Sequence, residues 1–219
     1  MPEFVCKSCG ASFPVPQRSL DKYPNWKPAR CRKCGPAKGT ARFGSQRKRG
    51  GGRGRMGAPA ENLTLAQVLE RYTEGPNYGI FTDGGCSPNP GPGGWGMVRV
   101  AEGVVIDQRH GHEDDTTNNR MELQALIEAY ASLPEKAAVI VHTDSKLCVD
   151  TINTWAPKWE RNGWRRKGGE IQNLERVQQL LELKRAHPAC KLQWIAAHSG
   201  NRWNEYADSL SRAWQREQL

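Results

Sequence analysis

Long apolar runs are missing from this sequence of 219 residues. No stretch approaches the roughly 20 consecutive apolar residues that a membrane-spanning helix needs. The amino-terminal segment "MPEFVCKSCG" also lacks the basic start and the apolar core of a secretory signal. We therefore expect a cytoplasmic protein without a membrane partner, with room for one main core and a small accessory module.

Acidic residues are scarce in the first part of the chain. Residues 1–60 contain 14 Lys and Arg but only 2 Asp and Glu, whereas residues 61–219 contain 18 and 21. The net charge of +9 is therefore the sum of +12 and −3. A basic segment on a near-neutral body is typical of proteins that bind a polyanion, most often nucleic acid. A solvated tail has the same composition, so charge alone leaves both interpretations open.

The seven cysteines do not suit a disulfide framework, because their number is odd. Four of them form two pairs, Cys6-x2-Cys9 and Cys31-x2-Cys34, separated by 21 residues. Each pair makes a tight turn that presents two thiolates, and four thiolates complete the shell of a structural Zn²⁺. Neither pair has the βαβ setting of a thioredoxin-like redox motif. We predict that residues 1–38 form a zinc-ribbon-like module that needs one Zn²⁺ to fold. We also expect this module to bind nucleic acid, separately from the main domain.

Three more segments follow this module. Residues 39–61 are rich in Gly and Arg without periodicity, which predicts a flexible basic linker. Residues 62–75 are expected to contain a short amphipathic helix, in which Thr64 and Gln67 form a capping box. Residues 76–219 are expected to form the main domain.

The main domain has a mixed α/β pattern. Its first three predicted strands are joined by short polar or Gly-rich turns, which favour antiparallel neighbours. Helices and strands then alternate, so we predict a mixed sheet with helices packed on its faces. The predicted strands cover 78–83, 95–101, 104–110, 137–144 and 191–198, and the predicted helices cover 118–133, 145–155, 173–186 and 204–214.

Four carboxylates in this domain have settings that favour a functional role. Asp83 ends an apolar strand, and Asp144 ends the buried run "AVIVHT", where the sites of sheet proteins gather. Glu122 lies on the apolar face of its helix, and Asp208 lies beside the apolar stripe of the last helix. Each also has a plain interpretation. Asp83 suits a turn, and Asp144 suits the N-cap of the next helix. Glu122 suits the N-terminal end of its helix, and Asp208 suits the boundary of an apolar face.

A shared site for these four acids requires cations, because four negative charges cannot stay ionised in a confined space. Carboxylate oxygens suit Mg²⁺, with Mn²⁺ as an alternative, whereas zinc prefers the cysteines of the other module. Two such ions can activate a water and stabilise the leaving oxygen of an in-line phosphoryl displacement. The carboxylates therefore favour a phosphodiester-cleaving enzyme if they meet.

Four motifs in this domain resemble those of type 1 ribonuclease H, in the order found in that family. They are "TDGGCSPNPGPGGWG", "TTNNRMEL", "HTDS" and "AHSGNRWNEYAD", and the resemblance covers about residues 76–216. It implies a ribonuclease H-like sheet of five strands, three antiparallel and two parallel. It also implies an endonuclease that hydrolyses the RNA strand of an RNA–DNA hybrid and leaves 3′-hydroxyl and 5′-phosphate ends. Nothing in the sequence demands a dimer, so we expect a monomer. Two rivals remain, a non-catalytic binding protein and an enzyme that acts on DNA alone.

The resemblance also assigns roles to individual residues. It makes Asp83, Glu122, Asp144 and Asp208 the catalytic metal ligands and His198 the mobile histidine of the family. The 2′-hydroxyl of RNA would be recognised at the minor groove. The residues expected to contact the substrate there are Gly84, Cys86, Asn89, Asn118, Asn119 and Asn204.

A basic aromatic segment, "TWAPKWERNGWRRKGG", is similar to the protrusion with which this family holds the DNA strand. Cations can bind phosphates while indoles pack on sugars. The tryptophans also suit a local core, and both interpretations can hold together. The expected contacts are Trp155, Lys158, Trp159, Arg161, Trp164, Arg165, Arg166 and Lys167.

Overall fold

The computed structural model describes residues 2–15, 17, 21, 29, 31, 34, 62–217 and 219. The chain divides into two compact units, Met1–Met56 and Gly57–Leu219. The predicted linker at 39–61 lies outside the described residues.

The amino-terminal unit contains a small antiparallel hairpin. Strand β1, Glu3–Val5, pairs with strand β2, Ser12–Pro14. The connecting turn closes through a hydrogen bond from the Gly10 amide to the Cys6 carbonyl at 2.8 Å. Gly10 has a φ of 71°, a left-handed conformation that costs glycine nothing. This turn therefore brings the first CxxC pair to one end of the hairpin.

The second unit, Gly57–Leu219, is built on a five-stranded mixed sheet. The order of its strands is β5-β4-β3-β6-β7. Strands β3, β4 and β5 are antiparallel neighbours, whereas β3 with β6 and β6 with β7 are parallel. This arrangement confirms the predicted fold. The strands are β3 Gly79–Cys86, β4 Gly91–Ala101, β5 Val104–Thr116, β6 Ile140–Thr143 and β7 Lys191–Trp194.

Six α-helices accompany the sheet in the described part of this unit. A π-helical turn, Thr151–Trp155, joins α3 to α4, and a 3₁₀ turn, Ala213–Gln215, follows α6. Among the described residues, none of the helices has both the length and the apolar character needed to cross a bilayer. The helices are α1 Leu65–Arg71, α2 Asn118–Ala131, α3 Lys146–Asp150, α4 Ala156–Arg161, α5 Leu174–Ala186 and α6 Arg202–Ser211.

The sheet separates two hydrophobic cores, because successive strand residues point to opposite faces. Ile80 packs with α2 and α5, whereas its neighbour Phe81 packs with α1 and α6. Tyr130 is fully buried in the first core, and Leu210 is fully buried in the second. Helix α1 begins at the predicted capping box, in which Thr64 and Gln67 bond each other's backbone.

Several predicted boundaries are wrong: β4 begins at Gly91 and not at 95, β5 continues to Thr116 and not to 110, and β7 ends at Trp194 and not at 198. The last helix covers Arg202–Ser211 and not 204–214.

Two further differences have clear physical reasons. Strand β3 continues past Asp83 to Cys86, because Gly84 and Gly85 pair with Trp95 and Gly94 of β4. Asp83 therefore lies within the strand and not at its end. The helical backbone that starts at α3 continues to Arg161, since the π-helical turn carries the chain into α4.

Candidate active site

The sheet register places two of the predicted acids side by side. Strands β3 and β6 are parallel, and Thr82 pairs with Thr143. The next residues are Asp83 and Asp144, which therefore lie side by side at the same level of the sheet. Ser145 caps α3 by accepting a hydrogen bond from Cys148, so the N-cap role does not fall on Asp144.

Helix α2 brings the third acid, Glu122, to the same place. A side-chain carbon at Gly84 would lie 2.5 Å from the Glu122 amide nitrogen, far inside van der Waals contact. Glycine at this position therefore lets the first turn of α2 rest directly on β3. Carboxylate oxygens of Asp83, Glu122 and Asp144 all lie within 4.8 Å of one another. We call these three residues the acidic triad.

Asp208 reaches the acidic triad from α6. Its side chain lies outside the mutually close group but shares a hydrogen bond with Asp83. Arg212, one helical turn later, donates from Nη2 to Asp208 Oδ1 at 2.6 Å. The structure thus brings all four predicted acids to one region, with a guanidinium beside the fourth.

Burial and mutual repulsion disfavour the charged forms of these acids. Burial raises the pKa of Asp83 well above its usual range, and the charges of Asp208 and Asp144 raise it further. Burial, followed by the charges of Asp83 and Asp144, likewise raises the pKa of Glu122. Burial is also the main reason that the pKa of Asp144 is raised. Divalent cations bound beside these acids would oppose the shifts, because they favour the charged carboxylates.

The donor atoms of the site fit Mg²⁺ or Mn²⁺. The acidic triad offers only carboxylate oxygens, which are the preferred ligands of these ions. Thr143 supports Glu122 through its hydroxyl at 3.4 Å, and Asn204 donates to Asp144 Oδ2 at 3.4 Å. These partners orient the carboxylates, so the predicted contact residue Asn204 here contacts one of the acids.

An open groove of about 580 Å³ surrounds the acids. Predicted residues Gly84, Cys86, Asn118 and His198 line it. His198 has a φ of 47° and a side chain that is 65% exposed, and its Nδ1 lies 3.7 Å from Glu205 Oε2. The histidine is thus presented at the surface of the groove, next to a buried carboxylate.

Hydrogen bonds fix the loop that follows β3 against the start of α2. The Cys86 amide donates to Asn118 Oδ1 at 2.7 Å, and the Asn118 amide donates to Asn89 Oδ1 at 3.4 Å. Three predicted contact residues therefore form one rigid rim. Asn119 lies elsewhere and lines a second cavity of about 160 Å³ together with Trp155 and Trp159.

The basic aromatic segment has both of the properties expected of it. Trp159 and Trp164 pack against the core beside α2, and the Trp155 and Trp159 rings lie 6.1 Å apart. The Arg166 guanidinium lies 6.0 Å from the Trp159 ring. A packed aromatic base thus presents cations to solvent. The exposed cations are Lys158, Arg161, Arg165, Arg166 and Lys167.

The sequence analysis does not identify three residues at the site. Arg212 and Trp214 line the groove, and Glu205 lies next to His198. The spacing of Arg212, four residues after Asp208 on one helix face, is a signal that could have revealed it. Trp214 follows the helix in the 3₁₀ turn, and its apolar type gives no signal of a place in the groove.

The four cysteines of the amino-terminal unit also meet. Sulfur atoms of Cys6, Cys9, Cys31 and Cys34 lie within 4.8 Å of one another. A backbone hydrogen bond from Cys31 is the main reason that the pKa of Cys6 is lowered to about 6. Hydrogen bonds with the Cys9 and Cys31 side chains raise the pKa of Cys34 to about 12. Without a cation, the crowded sulfurs therefore share protons, which suits a site for a thiophilic metal ion.

Comparison with known proteins identifies the family. The RNase H family model matches residues 76–215. This chain belongs to the RNase H family. Ribonuclease H of Chelativorans sp. (strain BNC1) is 47% identical over 135 residues, which are 61% of this chain and 82% of that protein. Ribonuclease H of Rhizobium meliloti (strain 1021) is 46% identical over 136 residues, which are 61% of this chain and 86% of that protein.

The solved structure of LC9-RNase H1, a type 1 RNase H with the type 2 active-site motif, is also similar. It has 30% sequence identity and a TM-score of 0.52, and the match covers 64% of this chain and 72% of that one. The predicted family and enzyme class are therefore confirmed: the protein is a nuclease, a hydrolase of phosphodiesters. RNase H enzymes depend on divalent metal ions, and the acidic triad lies in the matched region.

Proposed function

We propose that this RNase H hydrolyses the RNA strand of RNA–DNA hybrids with two Mg²⁺ ions, or Mn²⁺, and leaves 3′-hydroxyl and 5′-phosphate ends. The observation that carries this proposal is the acidic triad, whose oxygens lie within 4.8 Å of one another in a groove open to a strand. Asp83, Glu122 and Asp144 would hold the ions, and Asp208 would complete the set. Bound there, the ions supply a nucleophilic water and stabilise the leaving oxygen.

The residues around the ions have separate tasks. Asn204 keeps the Asp144 carboxylate oriented, because it donates to Oδ2. His198 carries protons between the groove and solvent, for which an exposed imidazole next to the acids is suited. Arg212 balances the charge of Asp208 before the ions bind.

Recognition of the hybrid is divided between two surfaces. The rim formed by Cys86, Asn89 and Asn118, with Gly84 beside it, reads the 2′-hydroxyls of the RNA strand. Trp155, Trp159 and the cations of the basic aromatic segment hold the DNA strand, with Asn119 in the same cavity as the two tryptophans. A substrate that lacks either strand type therefore loses one set of contacts.

Three labelled substrates test this function: an RNA–DNA hybrid, duplex DNA and duplex RNA, each with Mg²⁺ or with EDTA. We expect cutting of the hybrid's RNA strand only, with Mg²⁺ only, and new 3′-hydroxyl ends. Preferential cutting of duplex DNA would instead identify an enzyme that acts on DNA alone. Binding of the hybrid without any cutting would identify a non-catalytic binding protein.

We further propose that the zinc-ribbon-like module and the basic linker tether the enzyme to nucleic acid. The support is the charge of +12 in residues 1–60, together with Asn62, which lines the groove and follows the linker closely. The described part of the catalytic unit therefore begins beside the groove. Tethering raises the effective concentration of nucleic acid there without new contacts in the active site.

The tether predicts a change in the salt dependence of binding. Replacing the six Lys and Arg between residues 42 and 55 with Gln, in the full chain, keeps the length of the linker. We expect hybrid affinity to fall roughly tenfold or more, and the slope of log K against log salt to decrease by about three to five units. Fluorescence anisotropy at several salt concentrations measures both quantities. An unchanged slope would rule the tether out.

A further inference from the structure

The groove extends beyond the acids along a surface of which the proposed mechanism uses only the contact of Arg212 with Asp208. Past Asp208 it is lined by Ser211, Arg212, Trp214 and Gln215, at the end of α6 and in the 3₁₀ turn. We call these four residues the C-terminal wall. The wall and the rim at Cys86 and Asn118 line the same groove, so a strand that crosses the acids can contact both.

Trp214 is placed in the wall and not in the interior. Neither of the two hydrophobic cores among the described residues includes it, although Ala207 and Leu210 of the same helix are fully buried. Its indole is half-buried and stacks on the His112 ring of β5, with centroids 5.5 Å apart and planes at 11°. A large aromatic ring held in a groove by stacking is a surface on which a ribose or a base can pack.

The wall is fixed in place before any ligand binds. Arg216, directly after the 3₁₀ turn, donates from Nη2 to the Ser209 carbonyl at 2.7 Å and from Nη1 to the Leu63 carbonyl. The Gln215 amide bonds the Arg212 carbonyl at 3.0 Å. A ligand that binds the wall therefore does not have to order it first, which lowers the cost of association.

Arg212 is the cation of the wall. Its guanidinium is held by Asp208 at 2.6 Å and is one-quarter exposed. A divalent ion that binds the Asp208 carboxylate competes with the guanidinium for the same oxygens. Arginine binds phosphate oxygens well because its planar fork offers several donors, so a phosphate next to the bound ions is its natural alternative partner.

We propose that the C-terminal wall binds the RNA strand on one side of the scissile phosphate, with Arg212 on a backbone phosphate and Trp214 on the adjoining ribose or base. This inference rests on the proposed function, because the strand that occupies the groove is the one that the acids cut. The wall thus adds a contact for the cleaved strand in the same groove as the rim, and it sets how much RNA must flank the cutting position.

Substitution of Trp214 tests the wall on hybrids in which a short run of ribonucleotides fixes the cutting position. The cleaved strand extends far on both sides, or is shortened to about two nucleotides on its 5′ side or its 3′ side. We expect Trp214→Ala to raise KM about tenfold on the long hybrid, with kcat nearly unchanged, since stacking on an aromatic ring is worth about 1–3 kcal/mol. Shortening one side should abolish this penalty, and Trp214→Phe should restore most of the affinity.

The controls separate the possible failures. Tyr78→Ala, an exposed aromatic at the other end of β3, should leave KM unchanged on every hybrid. Normal cutting of the shortened hybrid by Trp214→Ala shows that this variant is folded. An equal increase in KM on all hybrids, or no increase, would contradict RNA binding by the C-terminal wall but not the proposed function. If the unaltered protein cuts no hybrid, the proposed function itself is wrong.

Arg212 supplies an independent binding measurement. In an Asp83→Asn background, which keeps the hybrid intact, Arg212→Gln should lower the salt slope of hybrid binding by about one unit, as expected for one lost phosphate contact. The same substitution should have no effect on the slope with the hybrid shortened on the side that the wall contacts. A slope that is unchanged on the long hybrid would contradict the assignment of Arg212.

Discussion

Asp83→Asn should cut the RNA strand of a hybrid at least about a thousandfold more slowly than the unaltered protein. Asparagine keeps the shape of the side chain but removes one negative charge from the acidic triad, so the ions that it would hold bind weakly. Loss of several kcal/mol of transition-state stabilisation corresponds to this factor. Single-turnover cleavage with saturating Mg²⁺ measures it.

The same substitution should make the metal-free protein more stable at neutral pH. Burial and neighbouring charges raise the folded-state pKa of Asp83, so the folded state holds a proton that the unfolded state releases between the two pKa values. Its stability therefore decreases as pH rises through that interval, and an uncharged residue removes the loss. Thermal unfolding in EDTA should show a higher Tm for Asp83→Asn and a weaker dependence on pH.

Glu102→Gln is a matched control, because it removes an exposed carboxylate in the β4–β5 turn. It should change neither cleavage nor the Tm in EDTA. Added Mg²⁺ should raise the Tm of the unaltered protein more than that of Asp83→Asn. Retention of cleavage by Asp83→Asn, or an equal Mg²⁺ effect on both proteins, would contradict the metal site.

Removal of zinc should unfold the amino-terminal unit and spare the RNase H unit. Structural zinc binding in small modules is worth about 10–16 kcal/mol, more than a hairpin of two three-residue strands can supply. We expect one Zn²⁺ per chain by elemental analysis, and none in Cys31→Ser. Chelation should expose the four thiols to a thiol reagent, while hybrid cleavage at low salt continues.

Cys86→Ser is the control for this experiment, since it removes a cysteine outside the cluster and should leave one Zn²⁺ per chain. A full complement of zinc in Cys31→Ser would show that the metal is held elsewhere. Loss of all cleavage on chelation with excess Mg²⁺ would show that the two units do not act separately.

Local patterns in the sequence predict much of this fold. The capping box of α1 at Thr64, the apolar face that carries Glu122 and the sheet of three antiparallel and two parallel strands all follow from spacing and from the family motifs. The end of β3 does not, because Gly84 and Gly85 act as strand residues only once β4 is beside them. Pairing between distant segments overrides local preference in such cases.

The C-terminal wall shows a second limit of local patterns. The sequence places Trp214 and Arg212 near the end of α6, but it does not show where the α-helix ends or in which direction the following side chains point. The 3₁₀ turn changes the direction of residues 213–215 and turns Trp214 toward His112. A side chain that is apolar by type thereby becomes part of the groove.

The pairing of Thr82 with Thr143 makes nuclease turnover a measure of correct folding. A shift of one residue between these two strands would send one of the adjoining carboxylates to the opposite face of the sheet. Molecules with that error could be compact and rich in secondary structure, yet inert. Specific activity after refolding therefore measures the fraction of chains in which β3 and β6 pair in the correct register. Circular dichroism reports total secondary structure and does not distinguish this register from a shifted one.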